Sequence, residues 1–435
     1  MSKNVHYNLV PTNLTSTGIQ SFKSGNPVIR FEIPENNHFL IPSSVRLAGK
    51  FRVWYKDDTI ANSASGLRIN ERLGVYGAID QLNFSSQTSK TQIESIRHYN
   101  KFLSSYFGIT TGLNNDVNSH MGLTSLACGN YETSVGSVVS LASMKTTGNS
   151  FCVPLISGLT SGNANLDLSV ETGCGGLECS LHLTPDSNFF FSEGADSASI
   201  TNAFYEFKDL HLIAEAVVPS PDDLASIRAR GASTLEYNSI SSYFQTINST
   251  NSQINMTLGK SRVLGVFANF CPASYINNLS QDGLKNMPLI NSDGSIAHIN
   301  QLIFTRGGER FPLAYNLDTL QKDTPRIEEV DSQIVRNYIS SVKDFVGLQR
   351  TTISPVNTKS VSGTNDKLGV ETGQNFGIGV SYTNISQDGV SFQNSPFGVS
   401  IECGLTSNNP TGVFLFAHCR NTLVMAGGGR IQVIS

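Results

Sequence analysis

Glu178 and Glu402 are the carboxylates with the best claim to chemistry in this sequence. Each stands inside a short alternating segment, "LECSLHLT" (177–184) and "VSIECGLT" (399–406), and two carboxylates flanking a sugar bond are the machinery of a glycosidase. Both, however, alternate away from the apolar side of their segments and do not occupy equivalent positions in them. A sugar cleft also stacks its ligand on aromatic rings, and Trp54, the single tryptophan, lies in a strand pattern where burial serves equally well. The eight histidines show no H-x-x-x-H or related ligand spacing. The seven cysteines (128, 152, 174, 179, 271, 403 and 419) form no C-x-x-C pair, and several sit where a strand places small buried hydrophobes, so structural thiols in a reduced compartment are expected. "AGGGRIQV" (426–433) lacks the Lys-Ser/Thr of a phosphate loop, "FTRGGERF" (304–311) reads as a glycine turn between strands carrying Arg306, Glu309 and Arg310, and no G-x-S-x-G elbow occurs. No catalytic, cofactor-binding or metal-ligating residue is therefore assigned, no cofactor is expected, and an enzyme is not the favoured class.

The charge balance closes other routes. Thirty Lys and Arg against 34 Asp and Glu leave a net charge of -4, without the basic face that nucleic-acid wrapping requires. Charged residues make up 15% of the chain, against about 25% in ordinary soluble domains. The polar surface must come from Ser, Thr, Asn and Gly, which lose little when buried against neighbours. The start "MSKNVHYNLV" is too polar for a secretory signal, and no apolar run reaches the ~18 residues of a membrane span. Six N-x-[ST] sequons, Asn13 and Asn248 among them, read as accidents of an Asn/Ser/Thr-rich chain.

The elements that would position any site are mostly strands. "VIRFEI" puts Ile29, Phe31 and Ile33 on one face; "LECSLHLT" does so with Leu177, Cys179, Leu181 and Leu183; "DLHLIAEAVV" groups Leu210, Leu212, Ala214, Ala216 and Val218. Gly/Ser/Asn-rich segments and the Asp-Gly pairs at Asp282, Asp293 and Asp388 mark loops and hairpins.

At 435 residues the chain exceeds the ~250–300 residues at which single cores stop growing, and an internal repeat says how it divides. "IDQLNF" (79–84) returns as "INQLIF" (299–304), an offset of 220. "SVRLAGKFRV" (44–53) is matched by "SRVLGVFANF" (261–270) at 217, and "LECSLHLT" by "VSIECGLT" at 222. Each motif is followed by a helical pattern. In the first, Thr91 and Glu94 form a capping box ahead of Ile93, Ile96, Phe102 and Leu103. In the second, Pro325, Glu328 and Glu329 open a stripe of Ile327, Val330, Ile334, Tyr338 and Phe345. Between the halves, "PSPDDLASIRARGAS" reads as a short capped helix: Ser220 caps, Pro221 opens, Asp222 and Asp223 suit the positive end, Arg228 and Arg230 the negative end, and Gly231 stops it. The boundaries expected are an N-terminal arm over 1–26, a first β-sandwich over 27–218, a linker over 219–233 and a second sandwich over 234–435.

Two tandem sandwiches without a catalytic constellation, the "SFCVPL" strand (150–155), "IDQLNF" followed by "QIESIRHYNKFLSSYF" (92–107), and the closing "NTLVMAGGGRIQVIS" resemble the double jelly-roll major capsid proteins, above all those of Polinton-like viruses and virophages. The resemblance covers the whole chain and implies an all-β protein: two tandem eight-stranded jelly rolls with short helices in the connecting loops. It further implies a homotrimer with a pseudo-hexagonal outline, the capsomer of an icosahedral DNA-virus shell, since a threefold axis acting on a doubled unit gives six similar sandwiches. Partners would be neighbouring capsomers, penton proteins and minor or cement proteins. The polar N-terminal arm would tie the inner face or adjacent capsomers; an internal membrane is compatible but not indicated. The protein would reside in the virion after assembly in the host cell. The competing class is a viral spike or lectin-like β-sandwich that binds glycans.

Overall fold

The computed structural model describes residues 3–13, 21–25, 27–55, 68–70, 73–109, 149–162, 164–191, 201–287, 289, 291, 299–313, 337–342, 376–403 and 410–435. The chain forms two compact units. Unit 1 comprises Met1–Asn100, Leu113–Ile240 and Asn421–Ile434; unit 2 comprises Lys101–Gly112 and Ser241–Arg420.

Two four-strand orders make unit 1. One is β1 (Lys3–Leu9), β12 (Ala203–Val218), β4 (Phe39–Tyr55) and β8 (Asn149–Pro154), with β2 (Ser21–Phe22) added on β12 and β9 (Leu166–Asp167) on β4. The other is β3 (Val28–Ile33), β10 (Leu177–Leu183), β6 (Ile79–Ser86) and β7 (Gln92–Arg97); a two-stranded ribbon pairs β5 (Arg68–Ile69) with β11 (Phe190–Phe191). The alternation read from the sequence fixes which side turns inward: Ile29, Phe31, Ile33, Cys179, Leu181, Leu210, Leu212, Ala214 and Ala216 are fully buried, while Val218 at the strand end is partly open. Phe51, Phe189, Tyr205 and Phe207 meet at ring separations of 4.9–6.0 Å in edge-on, tilted and stacked poses.

Unit 2 repeats the plan. One order is β13 (Ala232–Ile247), β20 (Thr411–Ala426), β15 (Val263–Pro272) and β18 (Ile378–Ser381). The other is β14 (Asn251–Met256), β19 (Phe397–Cys403), β16 (Ile299–Arg306) and β17 (Glu309–Arg310). Its core joins Ile254, Leu302, Phe304, Val399 and Ile401 to Val266, Ala268, Phe270, Val413, Leu415 and Ala417. The strand β21 (Arg430–Ile434) pairs with Thr422–Ala426, and this hairpin belongs to unit 1. Eight principal strands in two sheets thus occur twice, in the same order, and the fold is all-β double jelly roll.

The ladders refine the repeat. Leu82 stands opposite Leu181 and Phe84 opposite Cys179; Leu302 stands opposite Ile401 and Phe304 opposite Val399. Leu181 therefore corresponds to Ile401 and Cys179 to Val399, an offset of 220 rather than the 222 that residue similarity suggested. A shift of two keeps every side chain on the same face, so the pattern alone had no means to detect it. Both copies also carry an irregularity at the same place, between His182 and Leu183 and between Ile299 and Gln301.

One other expectation is corrected. Residues 92–97, expected to open a helix behind a Thr91/Glu94 capping box, form β7 against β6; the helix α1 begins later, at Tyr99–Ile109. "QIESIR" satisfies strand and helix periods about equally, and the tight turn at Lys90 (φ 55°) decides for a hairpin. Within the N-terminal arm expected over 1–26 lies β1, whose Val5, Tyr7 and Leu9 alternate with His6 and Asn8 and whose backbone pairs along β12. In the second copy, residues 337–342 are helical and Tyr338 is buried; Pro325, Ile327, Glu328, Glu329, Val330, Ile334 and Phe345 lie outside the described residues, as do Cys128, Asp293 and Leu405. The linker helix is as read: α2 (Pro221–Arg230) is capped by Ser220, whose Oγ accepts from the Asp223 amide at 3.2 Å, and is ended by Gly231 at φ 71°. Arg228 ties it to Glu171.

Leu82→Ala and Leu302→Ala empty matching positions in the two cores. Each is expected to cost about 2–5 kcal/mol, and the two losses should be similar in size. Chemical denaturation of the full chain measures this; a loss confined to one position would contradict the equivalence.

Candidate functional site

Among the described residues, one cluster of enclosed polar side chains in each unit joins several segments. That in unit 2 exists because β15 and β20 bury both faces. "VLGVFANFCP" and "TGVFLFAHC" are almost continuously apolar and enclosed throughout, the pattern of strands covered on both sides. Val266, Ala268 and Phe270 enter the sandwich, so Phe267, Asn269 and Cys271 face out and need a cover. α1 supplies it. Phe102 lies 6.4 Å from Phe267 and 5.9 Å from Phe416, ring to ring. Residues 337–342 cover the same strand: the Tyr338 ring is 6.3 Å from Phe267. Gly377 and Gly379 make room there, since a Cβ would come within 2.4 Å of Tyr338 and 2.0 Å of Ser341.

Asn269, 0% exposed, ties both covering segments to the sheet. Its Nδ2 donates to the Lys101 carbonyl at 3.1 Å and to Ser105 Oγ, and its Oδ1 accepts from Tyr338 Oη at 3.0 Å. Ser104 donates to Asn286 Oδ1 at 2.9 Å, and Lys101 Nζ donates to the Lys285 carbonyl at 3.0 Å. A fully used carboxamide in a dry interior fixes position strongly, because each lost bond strands a buried partner. His418 is enclosed beside Phe267, ring centroids 5.9 Å apart. Burial pushes its imidazole down to about 3, so it is neutral at physiological pH.

In unit 1 the cluster centres on Glu94, 2% exposed on β7. Its Oε1 accepts from the Gly158 amide at 3.1 Å and its Oε2 from the Leu159 amide at 3.0 Å; Ser157 and the Ile240 amide also bond to it. Burial outweighs these bonds and lifts the carboxyl to about 7. Tyr237 donates to the Ile93 carbonyl at 2.6 Å beside it. Gly158 is required here, because a Cβ would fall 1.2 Å from the Asn238 carbonyl oxygen.

The residues weighed for catalysis go elsewhere. Glu178 belongs to unit 1, where Lys90 Nζ holds it at 2.8 Å. Glu402 belongs to unit 2, on β19 between Asn251 and Gln301. Trp54 stands in β4 opposite Phe204. Asn13 of the first sequon is engaged at both ends, donating to the Val28 carbonyl at 2.6 Å and accepting from the Arg30 amide at 2.9 Å. Gly307 and Gly308 turn the "TRGGER" hairpin, and Gly428 and Gly429 turn the last one, all at positive φ. Among the described residues the cysteines are free thiols, and no cluster of His, Cys, Asp and Glu has the makings of a metal site. The enclosed pair of Lys101 and Cys271 was not singled out from sequence. The apolar runs of β15 and β20 were the available signal, for they demand a cover whose polar residues must then be satisfied indoors.

No protein-family model matches the sequence, and no curated protein matches it. Solved structures do. A chain of the PBCV-1 virus capsid superposes with a TM-score of 0.59 at 10% identity, over 100% of this chain and 97% of that one. A chain of the Sputnik virophage does so with 0.56 at 11%, over 99% and 88%. The Faustovirus major capsid protein gives 0.56 at 10%, over 98% and 91%. At such identities the likeness is one of fold, and it runs through the whole chain.

Two titrations of opposite sign follow. The Glu94 carboxyl is raised, so its contribution is greatest below about 4.5 and is lost as pH rises to about 7, some ~3 kcal/mol in all. Glu94→Gln places a nitrogen without a lone pair against an amide, which costs about 1–3 kcal/mol, and it removes the titration. The stability gap between wild type and variant should therefore be wider at about pH 5 than at about pH 8; a gap independent of pH would contradict this. The His418 ring is depressed, so it contributes above about 6.5 and loses that contribution as pH falls toward about 3. His418→Phe should flatten the acid side of the stability profile, measured by urea midpoints.

Proposed function

We propose that this chain is the major capsid protein of an icosahedral DNA virus and forms homotrimeric, pseudo-hexagonal capsomers. The observation that carries the reading is the exact doubling of an eight-stranded sandwich, with sheet orders β1-β12-β4-β8 and β3-β10-β6-β7 answered by β13-β20-β15-β18 and β14-β19-β16-β17. A threefold axis acting on such a chain sets six similar sandwiches about one centre, an outline that tiles a shell. The fold-level likeness to chains of the PBCV-1 capsid, Sputnik and Faustovirus supports it.

The low charge content suits the same role. Ser, Thr, Asn and Gly surfaces are cheap to desolvate, so many modest contacts between capsomers add up without long-range repulsion. Partners in this reading are further copies of the chain, penton proteins and minor or cement proteins; the role is structural rather than catalytic, and the location is the virion, after assembly in the host cell. By sequence the chain is organised as an arm (1–26), a first jelly roll (27–218), a linker (219–233) and a second jelly roll (234–435), with α1 given by the first half to unit 2 and the C-terminal hairpin by the second half to unit 1.

Native mass spectrometry of the purified chain should show a trimer, and negative-stain images should show hexagonal blocks of constant size. A protein that stays monomeric at high concentration would defeat the reading, and specific binding to a glycan array by such a monomer would favour the spike or lectin-like class instead.

A further inference from the structure

Lys101 is an amine shut away from water. It leaves α1 only 3% exposed. Its Nζ donates to the Lys285 carbonyl at 3.0 Å, lies 5.1 Å from the centre of the Phe414 ring, and is hydrogen-bonded to the side chain of Cys271. Cys271 is fully enclosed on β15, with Sγ 3.4 Å from the Gly283 carbonyl oxygen and 3.6 Å from that of Pro272. Both side chains thus converge on the 282–285 turn, where Asp282 is buried and interacts electrostatically with each. Burial pushes the lysine down and the thiol up, against the opposing pull of each on the other. Burial thus favours the neutral forms of both side chains where they meet, the amine beside the thiol. Two other enclosed thiols have different surroundings: Cys419 bonds to Ser241 and feels Lys260 only through space, and the thiol of Cys179 responds to burial and to Glu178.

We propose that Lys101 and Cys271 form an oxidative cross-linking site, closed by a bond between Nζ and Sγ when the protein meets hydrogen peroxide. In the first step the thiol attacks the peroxide: sulfur is oxidised by two electrons to the sulfenic acid, the O–O bond breaks and water leaves. In the second, the Nζ lone pair attacks Sγ, the S–N bond forms, the S–O bond breaks, and the hydroxyl departs as water with one amine proton. The product is a sulfenamide two hydrogens lighter than the starting pair, and a thiol reductant returns both side chains. Burial slows entry of the oxidant, since an enclosed thiol is ordinarily inert. The same enclosure holds the amine against the sulfur once sulfenic acid forms, and it bars competing thiols and further oxidation. The bond would join α1, from the first half of the sequence, to β15, from the second, and lock the cover onto its sheet. It requires nothing of the shell-forming role.

The test treats the full-length protein, purified reduced, with graded hydrogen peroxide and digests it without reductant for tandem mass spectrometry. A peptide containing Lys101 should appear joined to the one containing Cys271, two hydrogens below the sum of their masses. It should vanish on dithiothreitol treatment and be missing from Lys101→Met and Cys271→Ser. The unfolding midpoint of peroxide-treated wild type should rise and return on reduction, a readout that does not depend on either variant folding. Recovery of Cys271 as a free thiol, a disulfide or a sulfinic acid, without the linked peptide, at doses that fully oxidise the half-buried Cys152 would overturn the proposal. A linked peptide carrying an additional oxygen would overturn the S–N assignment.

Discussion

β15 and the Thr411–Cys419 stretch of β20 have no solvent face. Because both sides of these strands are apolar, unit 2 cannot be a bare sandwich: one side makes the core with β14, β19 and β16, and the other must be roofed. α1 and residues 337–342 provide the roof, and Phe267 touches a ring from each. Much of the molecule's irregular detail answers to this demand. Gly377 and Gly379 clear space for the roof, Asn269 pins it, and the polar side chains that α1 carries indoors each find a partner.

The two units solve the same topological problem with different surfaces. In unit 1 the strand equivalent to β20 is β12, whose N-terminal part leaves Phe204, Lys208 and Asp209 open or half-open where Thr411–Cys419 is enclosed throughout. The duplicated plan is therefore symmetric in strand order and asymmetric in what covers it. The helix that follows β7 in the first copy packs with unit 2, and the hairpin that closes the second copy packs with unit 1. Each unit therefore includes a segment drawn from the other half of the sequence.

Buried ionisable groups mark where this covering is done. Glu94, Lys101, Cys271 and His418 all sit where two or more segments close over a sheet or a strand end. Burial is the largest influence on each: it raises the acids and lowers the bases. Here the groups are enclosed by neighbouring backbone, as in Glu94 with the Gly158 and Leu159 amides, and they bind segments together.

The strands, the repeat and the linker helix were readable in the amino-acid sequence because period-two alternation and helix caps are local signals, each resolved within a few residues, whereas the jelly-roll class came from the resemblance. Ile29, Phe31 and Ile33 declare their face unaided, and Ser220 and Gly231 declare the ends of α2. Only the tertiary structure decided the register of the copies, since a two-residue slip leaves every side chain on its own face. It also decided that Glu94 belongs to a strand, and that Lys101 meets Cys271. Those outcomes depend on which distant segment supplies the missing half of a buried environment, and nothing within a few residues of either partner records that choice.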